Sequence, residues 1–165
     1  MLTPPFVRGY DHSRGEGEPV LVLFGDYEDP ASAEAHRAIE ALGPGGFTYA
    51  WRHLPLAELH PNANGAALAA ECAAAQDGFW AYHHVLLARQ TALSVPDLLS
   101  YAGQIGLDVA MLMENMVDER YAQRVLDNVR SAVDSGARET PAIFIDGERW
   151  EGGWEGDALR AALAR

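Results

Sequence analysis

The order of predicted elements indicates an α/β domain whose two halves are separated by helices. Residues 20–54 are typical of a strand, a helix and a second strand, and residues 142–164 of two strands and a helix. The residues between them, from about 65 to 135, carry only helical patterns. A strand–helix–strand succession makes a right-handed βαβ unit the default. We therefore expect one domain over residues 1–165, with a helical insertion at about 65–135.

The central strand is predicted from the run Val20–Phe24, five consecutive apolar residues typical of a strand buried on both faces. Pro30 suits the first turn of a helix, where no N–H partner is needed. Asp29 before it is a strong N-cap residue, because its carboxylate accepts from free N–H groups and complements the positive helix end. In α/β proteins, sites are usually built at this end of a central strand.

The segments around this unit carry clear boundary signals. The first helix should run from Pro30 to about Leu42 and stop at the Gly-Pro-Gly-Gly sequence of residues 43–46. Aromatic and β-branched residues at 47–54 predict the next strand. Before the central strand, residues 1–18 predict an arm with at most one short edge strand around Phe6–Arg8.

The insertion and the second half follow the same rules. An alanine-rich helix should begin at Asn64 or Gly65, and Ser94 and Asp108 should begin later helices. The helix after Gly78 places Phe79, Tyr82, His83 and Leu86 on one face. In the second half, we expect a strand at Ala142–Ile145, a hairpin turn at Asp146-Gly147, a strand to Glu151 and a final helix from about Gly156 to Ala164.

Composition excludes several classes of function. The chain has 12 basic and 24 acidic residues and a net charge of −12, which argues against binding to nucleic acid or to an anionic membrane. No apolar run approaches the length of a membrane span. Residues 1–9 lack the apolar core of a signal peptide, so we expect a cytoplasmic location.

Cysteine and histidine usage predicts neither a disulfide nor a metal centre. The chain has one cysteine, Cys72, which excludes an intramolecular disulfide and a cysteine-based zinc site. Its alanine-rich surroundings favour a small residue at a helix contact over a reactive thiol. The six histidines show no metal-binding spacing such as an H-E-x-x-H pair. We therefore predict no metal and no cofactor.

Four sequence segments together resemble the bacterial DsbA-like thioredoxin proteins, a family that includes soluble intracellular members. They are the central Phe24–Ser32 stretch, Arg52–Leu56 with His60-Pro61, Phe79–His83, and Gly136 with Thr140–Gly147. The resemblance covers most of residues 18–165. It implies a thioredoxin fold with a helical insertion, thiol–disulfide oxidoreductase activity in the family, and a cis proline at Pro141.

The chain departs from that family where the active-site cysteines should be. Family members have a sequence close to Phe-x-Asp-Tyr-Glu-Cys-Pro-Tyr-Cys at the end of the central strand. The positions of its two cysteines are occupied in this chain by Asp29 and Ser32. Thiol–disulfide exchange needs an attacking thiolate and a second thiol that resolves the mixed disulfide. A carboxylate cannot act as the attacking thiolate, and a hydroxyl cannot resolve the mixed disulfide. We therefore expect a redox-inactive protein without catalytic residues of the family type.

The resemblance further implies a groove that holds a peptide or protein segment, so we expect a binding or regulatory module of unknown oligomeric state. Its candidate residues surround the first helix and the loop before the third strand: Tyr27, Glu28, Asp29, Pro30, Ser32, His36, Trp80, Thr140 and Pro141. An alternative is a non-dithiol enzyme, for example a glutathione-dependent transferase or isomerase that uses Ser32 and Asp29. In that case His36, four residues after Ser32, would carry protons.

Overall fold

The computed structural model describes residues 1–155 and 157–164 and contains a five-stranded sheet with seven helices in that part of the chain. The strands are β1 (His12–Gly15), β2 (Val20–Gly25), β3 (Thr48–His53), β4 (Ala142–Ile145) and β5 (Glu148–Arg149). Their spatial order is β1-β3-β2-β4-β5. Helix α1 (Pro30–Glu40) connects β2 to β3, which run parallel. The predicted βαβ and ββα halves are confirmed.

Five helices form the insertion between β3 and β4, as the sequence predicts. They are α2 (Ala63–Ala74), α3 (Phe79–Ala88), α4 (Val95–Gln104), α5 (Val109–Val117) and α6 (Ala122–Asp134). Ser94 and Asp108 cap α4 and α5 through their side chains. The final helix is α7 (Asp157–Leu163); its expected first residue, Gly156, lies outside the described residues. None of the helices in the described residues is both long and apolar enough to cross a membrane.

The central strand β2 is buried on both faces, and its alternating side chains enter two separate apolar cores. Leu21 and Leu23 pack with α1, α7 and most of the insertion. Val22 and Phe24 pack on the opposite face with Ala132 of α6 and Phe144 of β4. Because strand side chains alternate between faces, a one-residue shift in register would exchange these two cores. This strand therefore fixes the position of the residues that follow it.

Two local backbone features lie on either side of β4. At the predicted hairpin, Asp146 and Gly147 both have positive φ, 50° and 83°, as a two-residue type I′ turn requires. The Thr140–Pro141 peptide bond before β4 is cis, as is Glu18–Pro19. Ala142 pairs with Phe24, so the Thr140–Pro141 loop lies at the C-terminal end of β2.

The predicted edge strand at Phe6–Arg8 is wrong. The edge strand is His12–Gly15, which pairs antiparallel with β3. The arm before it is held by side-chain contacts instead: Arg52 donates to the Phe6 carbonyl oxygen at 2.6 Å and forms a buried ion pair with Asp11 at 2.7 Å. The last strand is also shorter than predicted, since β5 ends at Arg149 and not at Glu151.

Candidate functional site

The N-terminus of α1 is closed by a compact set of hydrogen bonds between Asp29 and Ser32. The Asp29 carboxylate accepts from the backbone N–H groups of Ala31 at 3.1 Å and Ser32 at 3.0 Å. The Ser32 hydroxyl donates to Asp29 Oδ2 at 2.7 Å and accepts from the Asp26 N–H at 3.1 Å. Ser32 is 0% exposed. The polar atoms of both side chains therefore serve the helix cap.

A second carboxylate, Asp26, holds the loop that leads into α1. It is buried and accepts from the Glu28 N–H through Oδ1 and from the Leu56 N–H through Oδ2, both at 2.8 Å. His60 Nδ1 lies 2.9 Å from Asp26 Oδ2, and this hydrogen bond raises the pKa of His60. Asp26 thus joins the end of β2 to the loop after β3.

Two further side chains fix the same loop from the insertion. The Gln90 amide, which follows α3, donates to the carbonyl oxygens of Tyr27 at 2.9 Å and Asp29 at 2.8 Å. On the other side, the Glu28 carboxylate accepts from the backbone N–H of Asn62 at 2.6 Å. The backbone around the family's active-site position is therefore held on both sides.

Beneath α1 lies a buried aromatic and histidine cluster. The Tyr27 hydroxyl is 2.8 Å from His83 Nδ1, and His36 Nδ1 is 2.8 Å from the Tyr49 hydroxyl. Burial, reinforced by nearby His84, lowers the pKa of His36 to about 3. Burial and the neighbouring histidines also lower the pKa of His83 well below its ordinary value. Both imidazoles are therefore neutral at neutral pH.

A third polar group joins β1, β3 and α2. Glu71 Oε1 lies 2.7 Å from His12 Nε2 and 2.9 Å from His53 Nε2, and Glu71 and His53 are both buried. Burial opposes ionisation of Glu71, but the hydrogen bonds from the two imidazoles outweigh it and hold its pKa below the ordinary value. The Trp51 indole N–H donates to His53 Nδ1 at 3.3 Å.

The structure brings some of the predicted groove residues together and separates others. Asp29, Pro30 and Ser32 form the start of α1, which follows β2, and the half-buried Thr140–Pro141 loop lies at the same end of β2. Tyr27 and His36 point into the core, and Trp80 packs against Tyr49 and under the Arg14 guanidinium. Glu28 contacts the loop before α2.

The proton-transfer arrangement considered for Ser32 and His36 is not formed. Ser32 bonds to Asp29, whereas His36 bonds to Tyr49. Their spacing places both residues near one face of α1, but each side chain is hydrogen-bonded to a different partner and not to the other.

Two cavities next to titratable side chains lie away from Asp29, Thr140 and Pro141. The first has a volume of about 300 Å³ and is lined by His12 and Glu71 among others. The second has a volume of about 230 Å³ and is lined by His36, Glu40 and His84 among others. Neither group has a complete spacing signal in the sequence, because each combines residues from more than one element. Asp26 and Gln90 are not among the predicted groove residues, although Asp26 directly follows the central strand and matches the aspartate of the family sequence.

Cys72 is not placed for thiol chemistry. It is 0% exposed within α2, and burial, together with the adjacent Glu71 carboxylate, raises the pKa of its thiol to about 11. A reactive cysteine needs an accessible thiolate, and this side chain is inaccessible and protonated at neutral pH.

The chain is similar to one group of curated proteins over nearly its whole length. It is 42% identical over 158 residues to the Na(+)/H(+) antiporter NhaA 1 of Salinispora arenicola, covering 93% of this chain and 24% of that protein. It is 36% identical over 160 residues to the Na(+)/H(+) antiporter NhaA 1 of Mycobacterium sp. (strain KMS), covering 93% and 26%. The chain therefore spans about a quarter of the length of the curated relatives it matches.

The fold is also similar to that of solved structures. BdbD from Bacillus subtilis superposes with a TM-score of 0.86 at 19% identity, covering 99% of this chain and 95% of that one. A thioredoxin-like oxidoreductase from Silicibacter pomeroyi DSS-3 gives 0.84 at 24% identity, covering 96% and 92%. A family model described as "DSBA-like thioredoxin domain" matches residues 31–164. The chain therefore belongs to the DSBA-like thioredoxin domain family.

Proposed function

We propose that this chain is a redox-inactive member of its family, which acts by binding a peptide or protein segment. The observation that carries the proposal is the Asp29–Ser32 hydrogen bond. The two positions that correspond to the family's cysteines hold a carboxylate and a fully buried hydroxyl, and both cap α1. Thiol–disulfide exchange has no nucleophile at this position.

The loops around Asp29 and Ser32 are nevertheless firmly held. Asp26 and Gln90 hold the loop before α1, and Ala142 pairs with Phe24 to place the Thr140–Pro141 loop at the same end of β2. This arrangement supports the proposal that the surface binds a ligand. The relatives named Na(+)/H(+) antiporters carry the homologous region as about a quarter of a longer chain, which favours a module acting on a transport protein.

The alternative, a non-dithiol enzyme using Ser32 and Asp29, has less support. The Ser32 hydroxyl is buried and already donates to Asp29, so a substrate would have to displace the cap to reach it. The Asp29 carboxylate would also repel the thiolate of glutathione.

The binding proposal is tested with an unfolded peptide that has no free thiol. The probe is the reduced, carboxamidomethylated insulin B chain, titrated into ¹⁵N-labelled protein and followed by amide chemical shifts. We expect saturable shifts at residues 26–32 and 139–141. Thr140→Arg should abolish them, because the longer charged side chain obstructs the loop. Ser100→Arg, the same substitution at an exposed position on α4, should leave them unchanged.

Two results would contradict the binding proposal. One is the absence of shifts at millimolar peptide in folded protein. The other is a set of shifts centred elsewhere and equally strong in Thr140→Arg.

A further inference from the structure

A cluster of metal-ligating side chains lies where α1 meets α3, at the other end of α1 from Asp29. His36 and Glu40 are four residues apart on α1, so they lie on one face of the helix. His84 reaches the same place from α3. One ligand atom from each of the three residues lies within 4.8 Å of the others. His84 Nε2 is 3.6 Å from Glu40 Oε2.

The buried member of this cluster has an unused nitrogen. His36 is 3% exposed, and its Nδ1 is bonded to the Tyr49 hydroxyl. Its Nε2 is buried and has no hydrogen-bond partner among the described residues. Buried polar atoms without a partner are rare and call for an explanation. Here the ring of His36 lines a cavity of about 230 Å³ that Glu40 and His84 also line.

The hydrogen bonding of His36 suits a metal ligand, because Tyr49 engages Nδ1 while Nε2 has no partner among the described residues. With Nδ1 protonated, it would donate to the Tyr49 oxygen, the type of second hydrogen bond that fixes ligating imidazoles.

We propose that His36 Nε2, Glu40 and His84 form a binding site for a divalent transition metal, with Zn²⁺ as the first candidate. Two imidazoles and a carboxylate are a ligand set that Zn²⁺ uses in sites with an open fourth position. Ligand atoms around tetrahedral zinc are about 3.3 Å apart, close to the present His84–Glu40 separation. His84 and Glu40 are partly exposed and free to adjust around the fixed His36 ring.

The metal would replace one interaction that is already present. Arg14 Nη1 lies 3.1 Å from Glu40 Oε2, and both side chains are about one-third exposed, at 38% and 32%. Exposed ion pairs of this type contribute little to stability, so a metal can displace the guanidinium. Once bound, the metal would connect α1 of the βαβ half with α3 of the insertion.

The other histidine cluster, His12, His53 and Glu71, fits a metal less well. The Trp51 indole N–H donates to His53 Nδ1, so the proton of neutral His53 lies on Nε2, the nitrogen that faces Glu71. Coordination through Nε2 would need that proton on Nδ1, opposite the indole N–H. Arg124 Nη1 also lies 3.6 Å from Glu71 Oε2. This cluster is therefore an internal control for the proposal.

The test uses the tag-free chain with Zn²⁺ and Co²⁺ as probes. Zn²⁺ should raise the melting temperature, because a ligand that binds only the folded state stabilises it. Co²⁺ should give visible absorption bands of a low-coordinate site. His84→Gln and Glu40→Gln, both at partly exposed positions that leave the core intact, should weaken binding at least about tenfold. His12→Gln should bind as the unmodified chain does.

Three results would overturn the proposal. The first is no melting shift and no Co²⁺ bands at about a hundred micromolar metal, a weak limit for a specific site. The second is undiminished binding in folded His84→Gln. The third is loss of binding in His12→Gln, which would assign the metal to the other cluster. Circular dichroism of each variant confirms that it is folded.

Discussion

The Ser32 hydroxyl lies 2.7 Å from Asp29 Oδ2, so the residues at the two cysteine positions of the family are hydrogen-bonded to each other. In the family, the helix N-terminus stabilises a thiolate. Here the same positive helix end is neutralised by a carboxylate that accepts from Ala31 and Ser32. At these two positions the chain has a helix cap.

Replacing the cap should cost stability. Asp29→Ala removes the acceptor of three hydrogen bonds and should lower the free energy of unfolding by about 1–2 kcal/mol. Asp29→Asn, which keeps an acceptor oxygen, should cost less. Urea denaturation at pH 7 measures both, with Ser94→Ala as the matched loss of a cap in the insertion. Equal stability of Asp29→Ala and the unmodified chain would show that the cap contributes nothing.

The sequence predicted this end of the molecule well, because its signals are local. An apolar run, an N-cap residue and a proline at the first helical position each act within a few residues, and all three agree. Likewise, the Asp146-Gly147 turn follows from residues that accept positive φ. The helical insertion also followed from local patterns, whereas the cis Thr140–Pro141 bond was expected only from the family resemblance.

What the sequence could not predict is set by contacts between distant elements. The sequence pattern favours an edge strand at Phe6–Arg8, whereas His12–Gly15 forms it and Arg52 holds the earlier arm by a hydrogen bond to the Phe6 carbonyl oxygen. On α6, the large apolar residues Leu126 and Val133 are exposed, because no other element of the described residues covers that side of the helix. The cluster of His36, Glu40 and His84 has no sequence spacing because His84 comes from another helix.

Acidification should destabilise the protein through its buried histidines. His36 has a folded-state pKa of about 3 and an unfolded value near 6.5, so between these pH values the unfolded chain binds more protons. Stability therefore falls as the pH falls through this window. His36 alone should remove about 2 kcal/mol between pH 7 and pH 5, and His83 acts in the same direction.

Urea denaturation at pH 7 and pH 5 measures this loss, and two variants separate its sources. His36→Gln should flatten the pH dependence, whatever its absolute stability. His60→Gln should steepen it, because the pKa of His60 is raised, and the stability it supplies is present at low pH and lost as the pH rises through the folded-state pKa. Identical slopes in His36→Gln and the unmodified chain would refute the assignment.

Glu71 should be a major source of stability for the contact between β1, β3 and α2. Glu71→Gln removes the buried charge that faces His12 and His53, and we expect a loss of about 3 kcal/mol or more. Glu114→Gln, at an exposed position on α5, should change the free energy of unfolding by no more than about 0.5 kcal/mol. Chemical denaturation of the two variants side by side gives the comparison; similar small losses would contradict a structural role for Glu71.

Cys72 should be unreactive in the folded protein. Its thiol is buried and its pKa is about 11, so at pH 8 we expect modification by 5,5′-dithiobis(2-nitrobenzoate) to be at least about a hundredfold slower than that of a free cysteine. In urea the same residue should react fully within minutes. Rapid labelling without denaturant would show that the thiol is accessible.

The central claim is that this scaffold has kept its fold and lost its sulfur chemistry at one pair of positions. The direct measurement is dithiothreitol-dependent reduction of insulin by the unmodified chain and by the Asp29→Cys/Ser32→Cys double variant. We predict a background rate for the unmodified chain and a measurable rate for the double variant, whose new thiols lie at the N-terminus of α1. Catalysis of insulin reduction by the unmodified chain above the background rate would contradict the account, whether or not Cys72→Ala abolishes it.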